Sequence, residues 1–415
     1  MTTDVLAEFE ARGLIQDTTE REALAEALSD EMITVYVGFD PTADSLHLGN
    51  LIPIMALRRM QLAGHKPIAL VGGSTGMVGD PGGRSEERNL LDTETLAHNV
   101  EGISAVLRRF LDFDSGAANT AEMVNNYDWT GPVGVIDFLR DVGKHVTVNQ
   151  MMAKDSVKSR LESENGISFT EFSYMLLQAN DYLWLHDNLG CSIQIGGSDQ
   201  WGNIINGVEL GRRTDQRNIY GLTTPLLTTS SGAKMGKTAA GAIWLNADML
   251  SPYDYWQYWR NTEDADVGKF LRLFTDLPLD EITDLEKAKV EEINDVKKRL
   301  ATEITKLCHG ADAAIEAAET ARRTFEEGGL GEALPSIDIP KASLETGIVI
   351  FELFKLAGLA TSNGEARRLI KGGGGKLNGK KIDDETQIIT NLNINSEGVV
   401  KLSAGKKRHV IMNPV

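Results

Sequence analysis

Between residues 33 and 245 short apolar runs alternate with amphipathic stretches. The run 35-VYVGF-39 precedes a helical pattern from Leu51 to Leu62, 68-IALV-71 follows, and 193-IQI-195 comes later. Short buried strands separated by helices predict a parallel α/β sheet covered on both faces. The loops after the strands are glycine-rich, 72-GGSTGMVGDPGG-83 and 196-GGSDQ-200. In an open sheet of this kind ligands bind beyond the carboxyl ends of the strands, where these loops lie.

After Pro252 the pattern becomes helical only. Ile293, Val296, Leu300, Ile304 and Leu307 recur at intervals of three and four, with charged residues between them. The stretch 328-GGLGEALPSIDIPKAS-343 holds two prolines and no sustained period, which marks a linker. The expected division is an α/β domain over 1–250, a helical domain over 251–327, a linker over 328–346 and a small α/β unit over 347–415. In that last unit Ile350, Leu353, Phe354 and Leu359 suit one helix and 364-GEARRLIKGG-373 a second.

Composition narrows the class. The 415 residues are 41% hydrophobic and 25% charged, an ordinary globular balance. No 18-residue apolar run occurs and residues 1–10 lack the pattern of a secretory leader, so a cytoplasmic location without membrane contact is expected. Cys191 and Cys308 lie far apart in apolar contexts and suit buried, reduced thiols rather than a disulfide or a metal site. The net charge of −18 is uneven: residues 341–415 hold 12 Lys and Arg against 7 Asp and Glu, a local +5, which leaves −23 on the rest. An acidic body with a basic tail suits either an appended nucleic-acid module or a solvated basic face.

One glycine stands where its cost is plain. Gly49, in 47-HLGN-50, falls where the loop after the first strand turns into a helix, and glycine there costs up to about 1 kcal/mol relative to alanine. Either a flat ligand packs on the backbone with its phosphates toward the helix N-terminus, or two elements pack closely. A second polar segment, 232-GAKMGKT-238, places Lys234 and Lys237 three apart beside Thr238, between strand-like 226-LLTT-229 and 242-AIWL-245. Two ammonium groups there suit a polyphosphate that must be held during reaction and then released.

Together, His-Leu-Gly-Asn and Lys-Met-Gly-Lys-Thr resemble the paired signatures of class I aminoacyl-tRNA synthetases. The segments YVGFDPTADSLHLGN, ALVGGSTGMVGDPGGRSEER, ISFTEFSYMLLQANDY and IQIGGSDQWGN resemble the bacterial-type tyrosyl-tRNA synthetases in particular, from about residue 5 to the C-terminus. The resemblance implies a Rossmann-like parallel-sheet catalytic domain, an all-α anticodon-recognition domain and a small S4-like RNA-binding domain. It further implies a homodimer formed through an insertion near 125–160. The expected partners are L-tyrosine, tRNA(Tyr) and a second copy of the chain, with no DNA.

By the same resemblance Tyr36 and Asp181 meet the substrate phenol, Asp80, Tyr174 and Gln178 hold its α-ammonium, and Gln200 its carboxylate. A pocket for tyrosine needs buried polar groups that go unpaired when phenylalanine enters, a principle for which these enzymes are themselves the standard illustration. Gly49 would underlie adenine, with Asn50 beside it in place of a frequent histidine. Gly38, Asp40, Gly197 and Asp199 would lie near the ribose, and Thr42 and His47 at the γ-phosphate. Arg84, Arg88, Lys234, Lys237 and Thr238 would surround the leaving pyrophosphate. ATP is the co-substrate and Mg²⁺ would come with its phosphates, since no all-protein carboxylate cage is visible. In the tail, Arg367, Arg368, Lys371, Lys376, Lys380 and Lys381 would contact RNA phosphates, and Gly375 stands where an apolar residue is common.

Two rival readings remain at this stage. A tryptophan-specific relative is disfavoured by Tyr36 with Asp181, because indole offers only a donor. A non-catalytic RNA-binding protein on the same scaffold is disfavoured by the intact His47, Asp80, Gln200, Lys234 and Lys237.

Overall fold

The computed structural model describes residues 4–81, 92–162, 166–230, 232, 235–238, 241–324, 334–395, 397–405 and 408–415, and only the backbone at 93, 155–156 and 237–238. They form two compact units, divided between Ala311 and Asp312.

The first unit is built on a six-stranded sheet of β1 (Asp17–Thr18), β2 (Thr34–Phe39), β3 (Lys66–Val71), β4 (Glu122–Asn125), β5 (Cys191–Gly197) and β6 (Tyr220–Thr224), in the order β1-β6-β5-β2-β3-β4. All neighbours are parallel except the short edge strand β1. The sheet forms as the alternation predicts, because β2, β3 and β5 are apolar on both faces. From β2 the chain crosses to β3 on one side, while β5 pairs with β2 on the other. The gap beyond the ends of β2 and β5 is therefore the topological switch point.

Helix Leu51–Leu62 lies beneath the sheet with most of its side chains buried, which explains its near-continuous apolar run. The long helix Phe169–Leu189 starts at the Ser168 hydroxyl, which accepts from Glu171 N, and stops at Gly190 in the left-handed region. Cys191 and Cys308 are both buried free thiols, as expected. No helix among the described residues is long and apolar enough to cross a membrane.

Several elements differ from the sequence reading. Residues 226–229 and 242–245 are not strands; the strand lies earlier, at β6, and Gly241–Ala242 forms only a two-residue ladder with Lys237–Thr238. Helices Pro252–Arg260, Val267–Phe274 and Ile293–His309 pack within the first unit through Trp259, Phe270, Phe274, Leu300 and Ile304. Helix Ala311–Arg322, expected with them, falls in the second unit from Asp312 onward.

The proposed linker is also structured where it is described. Ser336–Ile339 is a strand parallel to Arg408–Pro414, and Lys341–Thr346 is a helix. Ile337 and Ile339 turn inward and Ser336 and Asp338 outward, an alternation too short to register between Pro335 and Pro340.

In the second unit five strands in one sheet and helices Ile350–Leu356 and Asn363–Lys371 close a core around Leu344, Ile350, Leu353, Phe354, Ile370, Leu402 and Met412. Leu359 is buried in that core but lies beyond the helix expected to carry it. Gly375 is filled around rather than left hollow: a Cβ there would sit 2.9 Å from Ile370 Cγ1 and 3.4 Å from Phe354 Cζ.

Candidate active site

A cleft of about 390 Å³ opens at the switch point and gathers residues from six stretches of the chain. Period two along β2 puts Tyr36 and Gly38 on one face, and Asp40 and Thr42 follow at the strand's end. From helix 169–189, Tyr174, Gln178 and Asp181 form a stripe at four and three residues' spacing. Asp80 enters from the loop beyond β3, and Gly197, Asp199 and Gln200 come from the end of β5. Every described residue that the sequence assigned to tyrosine lines this one cleft, as do those assigned to ATP from Gly38 to Asn50.

The floor is a network of buried side chains. Trp129 Nε1 donates to Asp181 Oδ1 at 2.8 Å and Asn126 Nδ2 to Oδ2 at 2.9 Å. Burial pushes the Asp181 carboxyl up to about 7, and these two hydrogen bonds hold it from rising further. Tyr36 Oη is buried beside it with no hydrogen-bond partner among the described residues, and so are Gln178 Oε1 and Gln194 Oε1. Burial and the nearby Asp181 raise the Tyr36 phenol well above its ordinary value, so it stays protonated as a donor. Three orphaned polar atoms lining one cleft mark a place built for a polar ligand.

Midway up, carboxylates are held by neighbours. Tyr174 Oη donates to Asp40 Oδ2 at 2.9 Å and Thr75 Oγ1 to Oδ1 at 2.8 Å. Gln200 Nε2 donates to Asp80 Oδ2 at 2.6 Å and Asn203 Nδ2 to Gln200 Oε1 at 3.1 Å.

At the mouth the two signature segments meet. Leu48 N donates to Ile243 O, Ile243 N to Gly236 O, and Leu245 N to Leu46 O, at 2.8, 3.1 and 2.9 Å. Gly236 has φ +109°, a conformation that L side chains rarely adopt, which accounts for glycine at this position. His47 caps the turn Leu48–Asn50: its Nδ1 accepts from Gly49 N at 3.0 Å, while Asn50 Oδ1 accepts from His47 N at 3.1 Å. A Cβ on Gly49 would stand 2.8 Å from His47 Cε1, so the absent side chain is needed for this cap whether or not a ligand packs there.

Arg84, Arg88 and Lys234 lie outside the described residues, and of Lys237 and Thr238 the backbone alone is described, in a short strand. In the second unit Arg367, Arg368, Lys371, Lys380 and Lys381 are exposed and Lys376 is half-buried. The Arg367 guanidinium sits 4.0 Å over the Phe351 ring, and Lys371 pairs with Glu385 at 2.9 Å. Sequence reasoning missed Thr75, Asn126, Trp129 and Gln194. Gln194 carried a signal, a polar residue inside the apolar run 193-IQI-195; Asn126 and Trp129 carried none, being remote in sequence from what they hold.

A parallel sheet with its cleft at the switch point, flanked by a His-Leu-Gly-Asn turn and a glycine-kinked stretch at 235–238, is the arrangement of a class I aminoacyl-tRNA synthetase. Residues 28–326 match the family described as tRNA synthetases class I (W and Y), and the chain belongs to it. It is 52% identical over 413 residues to a tyrosine–tRNA ligase of Rhizobium meliloti (strain 1021), covering 100% of this chain and 99% of that one. To the tyrosine–tRNA ligase of Caulobacter sp. (strain K31) it is 54% identical over 413 residues, covering 100% and 98%. A C-terminally truncated mitochondrial tyrosyl-tRNA synthetase of Aspergillus nidulans shares the fold with a TM-score of 0.69 and 32% identity, over 78% of this chain and 94% of that one. The tyrosyl-tRNA synthetase of Archaeoglobus fulgidus, 17% identical with a TM-score of 0.56, shares the fold over 76% of this chain and 100% of that one.

Proposed function

We infer that the chain is a tyrosine–tRNA ligase, which activates L-tyrosine with ATP to tyrosyl-adenylate and pyrophosphate and then transfers tyrosine to the 3′ end of tRNA(Tyr). The observation that carries the choice of amino acid is the buried pair at the floor, Tyr36 Oη unpaired beside a doubly hydrogen-bonded Asp181. A phenol entering there donates to Asp181 and accepts from Tyr36, satisfying both. Phenylalanine leaves both unpaired, and indole, a donor only, leaves Tyr36 unpaired.

The other assignments follow from the same placement. Gln178 Oε1, an orphaned acceptor, takes the substrate ammonium together with Asp80 and the Tyr174 hydroxyl, and Gln200 orients the carboxylate. That carboxylate oxygen forms its bond to the α-phosphorus of ATP as the bond to the pyrophosphate oxygen breaks, so no general base is needed. Catalysis comes from alignment and from stabilising the departing charge. Thr42 and His47 would serve the γ-phosphate, Gly49 and Asn50 the adenine side, and Gly38, Asp40, Gly197 and Asp199 the ribose. Arg84, Arg88, Lys234, Lys237 and Thr238 would receive the pyrophosphate, with Mg²⁺ entering as the phosphates' counter-ion.

Helix Val135–Asp141 buries none of its residues, and Val135, Ile136 and Phe169 are 70%, 71% and 77% exposed, which supports a homodimer through this region. The exposed basic residues from Arg367 to Lys381 support RNA contact by the second unit. The test is ATP–pyrophosphate exchange by the full chain. Tyrosine should support it without tRNA, and phenylalanine and tryptophan should not; exchange driven by tryptophan would overturn the assignment.

A further inference from the structure

The described stretches on either side of Gly236, at 228–230 and 245–246, are both tied to helices outside the cleft. On the upstream side Ser230 N donates to Asp266 Oδ1 at 2.7 Å, and Lys269 Nζ donates to Thr228 O at 2.8 Å. Asp266 is 1% exposed and stands at the head of helix 267–274. A carboxylate buried so fully is retained only where its hydrogen bonds repay its lost hydration.

On the downstream side the holder is Arg109, from the helix Thr93–Phe110. Its Nη1 donates to Leu245 O at 2.9 Å and reaches Cys308 O, near the end of helix 293–309, at 3.5 Å. Its Nη2 donates to Asn246 Oδ1 at 3.1 Å. Asn246 passes the constraint on, donating from N to Ser45 Oγ at 3.1 Å and from Nδ2 to Asp44 O at 3.0 Å. Two turns earlier on the Arg109 helix, Gly102 lets the same loop pack against it: a Cβ there would lie 1.9 Å from Asp44 O. The stems end on either side of Gly236, whose ideal Cβ position lies 3.7 Å from Gly49 N.

We propose that Asp266 and Arg109 are positioning residues for adenylate formation, Asp266 fixing the backbone at Ser230 and Arg109 that at Leu245–Asn246 to the helical layer, so that Gly236 between them meets the His47–Asn50 turn in register. Neither residue lines the cleft. Both act through the backbone they hold. The helical layer thereby sets the alignment of the ATP-side groups, while the tyrosine floor, built on β2 and helix 169–189, takes no hydrogen bond from Asp266 or Arg109 among the described residues. This rests on the tyrosine-activation reading.

The experiment is single-turnover adenylate formation by the full chain, with tyrosine affinity measured separately by calorimetry. Asp266→Ala and Arg109→Ala should each slow adenylate formation about 10- to 100-fold, the scale of a misplacement near 1 Å, with tyrosine affinity within about twofold of the parent. Asp266→Asn keeps an oxygen for the Ser230 N–H and should recover most of the rate. Lys269→Met, at an exposed position outside the core, loosens the same stem and should cost about 2- to 5-fold, which keeps the test open if Asp266→Ala fails to fold. Wild-type rates in Lys269→Met and Asp266→Ala, no recovery in Asp266→Asn, or tyrosine affinity falling in step with rate would each overturn the proposal. A parent chain that forms no tyrosyl-adenylate would instead overturn the reading beneath it.

Discussion

At the floor of the cleft the polar groups belong to side chains locked by one another, with Trp129 and Asn126 on the two oxygens of Asp181. At the mouth they belong largely to the backbone of glycine-bearing turns, with His47 Nδ1 held by Gly49 N and Gly236 bent through a positive φ. On the proposed reading the first arrangement would discriminate, because any ligand that fails to pair its groups leaves buried donors and acceptors unmatched. The second would position, because backbone N–H groups offer phosphate a fixed geometry with little chemical selectivity. Damage to the floor should therefore appear in amino-acid recognition, and damage to the mouth in the ATP-dependent step.

The sharpest way to break that contrast is Asp181→Ala. It leaves a bound phenol buried without its acceptor, beside the stranded Trp129 and Asn126 donors, which forfeits a charge-assisted hydrogen bond of about 1.5–3 kcal/mol and adds about 1–3 kcal/mol for the unmatched hydroxyl. At about 1.4 kcal/mol per decade, kcat/KM for tyrosine should fall by about 100- to 1000-fold or more. The gap between tyrosine and phenylalanine in pyrophosphate exchange should narrow with it. A loss below tenfold would mean that the floor does not carry recognition.

A smaller effect is expected at the mouth. Gly49→Ala drives a Cβ to 2.8 Å from His47 Cε1, so the ring must leave its cap. The rate of adenylate formation should drop about 100-fold, as when one aligned donor to the reacting phosphates is lost, while tyrosine affinity by calorimetry stays unchanged. Equal losses in both quantities would erase the distinction between the two regions.

The same contrast governs what the sequence reveals. The mouth shows in short contiguous motifs, because glycine and histidine there serve neighbours one or two positions away. The floor's central residues, Tyr36 and Asp181, are named only through resemblance, and their supports at Asn126 and Trp129 join the site across 52 to 55 positions of sequence. The parallel sheet is legible because β2, β3 and β5 each hold a short run of mostly apolar, buried residues. The strand Ser336–Ile339 is not, because it draws its partner from the last strand of the chain.

The gentlest probe of the floor is pH. Burial raises the Asp181 carboxyl to about 7, and the hydrogen bonds from Asn126 and Trp129 oppose that rise. Because its value in the fold lies above the ordinary 3.8, this group favours the folded state fully at pH below about 4, and that contribution is lost as pH climbs through about 7. On the proposed reading tyrosine binding runs the other way, since an ionised carboxylate would be the stronger acceptor for the substrate phenol. Affinity for tyrosine should thus weaken as pH drops from 8 to 6, while the ligand-free chain gains stability from this group over the same interval. Trp129→Phe removes one of the two restraining donors, so the midpoint of the affinity profile should move to higher pH. At pH 7 the variant should bind tyrosine about tenfold more weakly, the scale of one hydrogen bond to a charged group, and part of that loss should be recovered at pH 9. Calorimetric titration of tyrosine across this range checks it: a midpoint that stays in place in Trp129→Phe would show that the indole packs against Asp181 without tuning its charge.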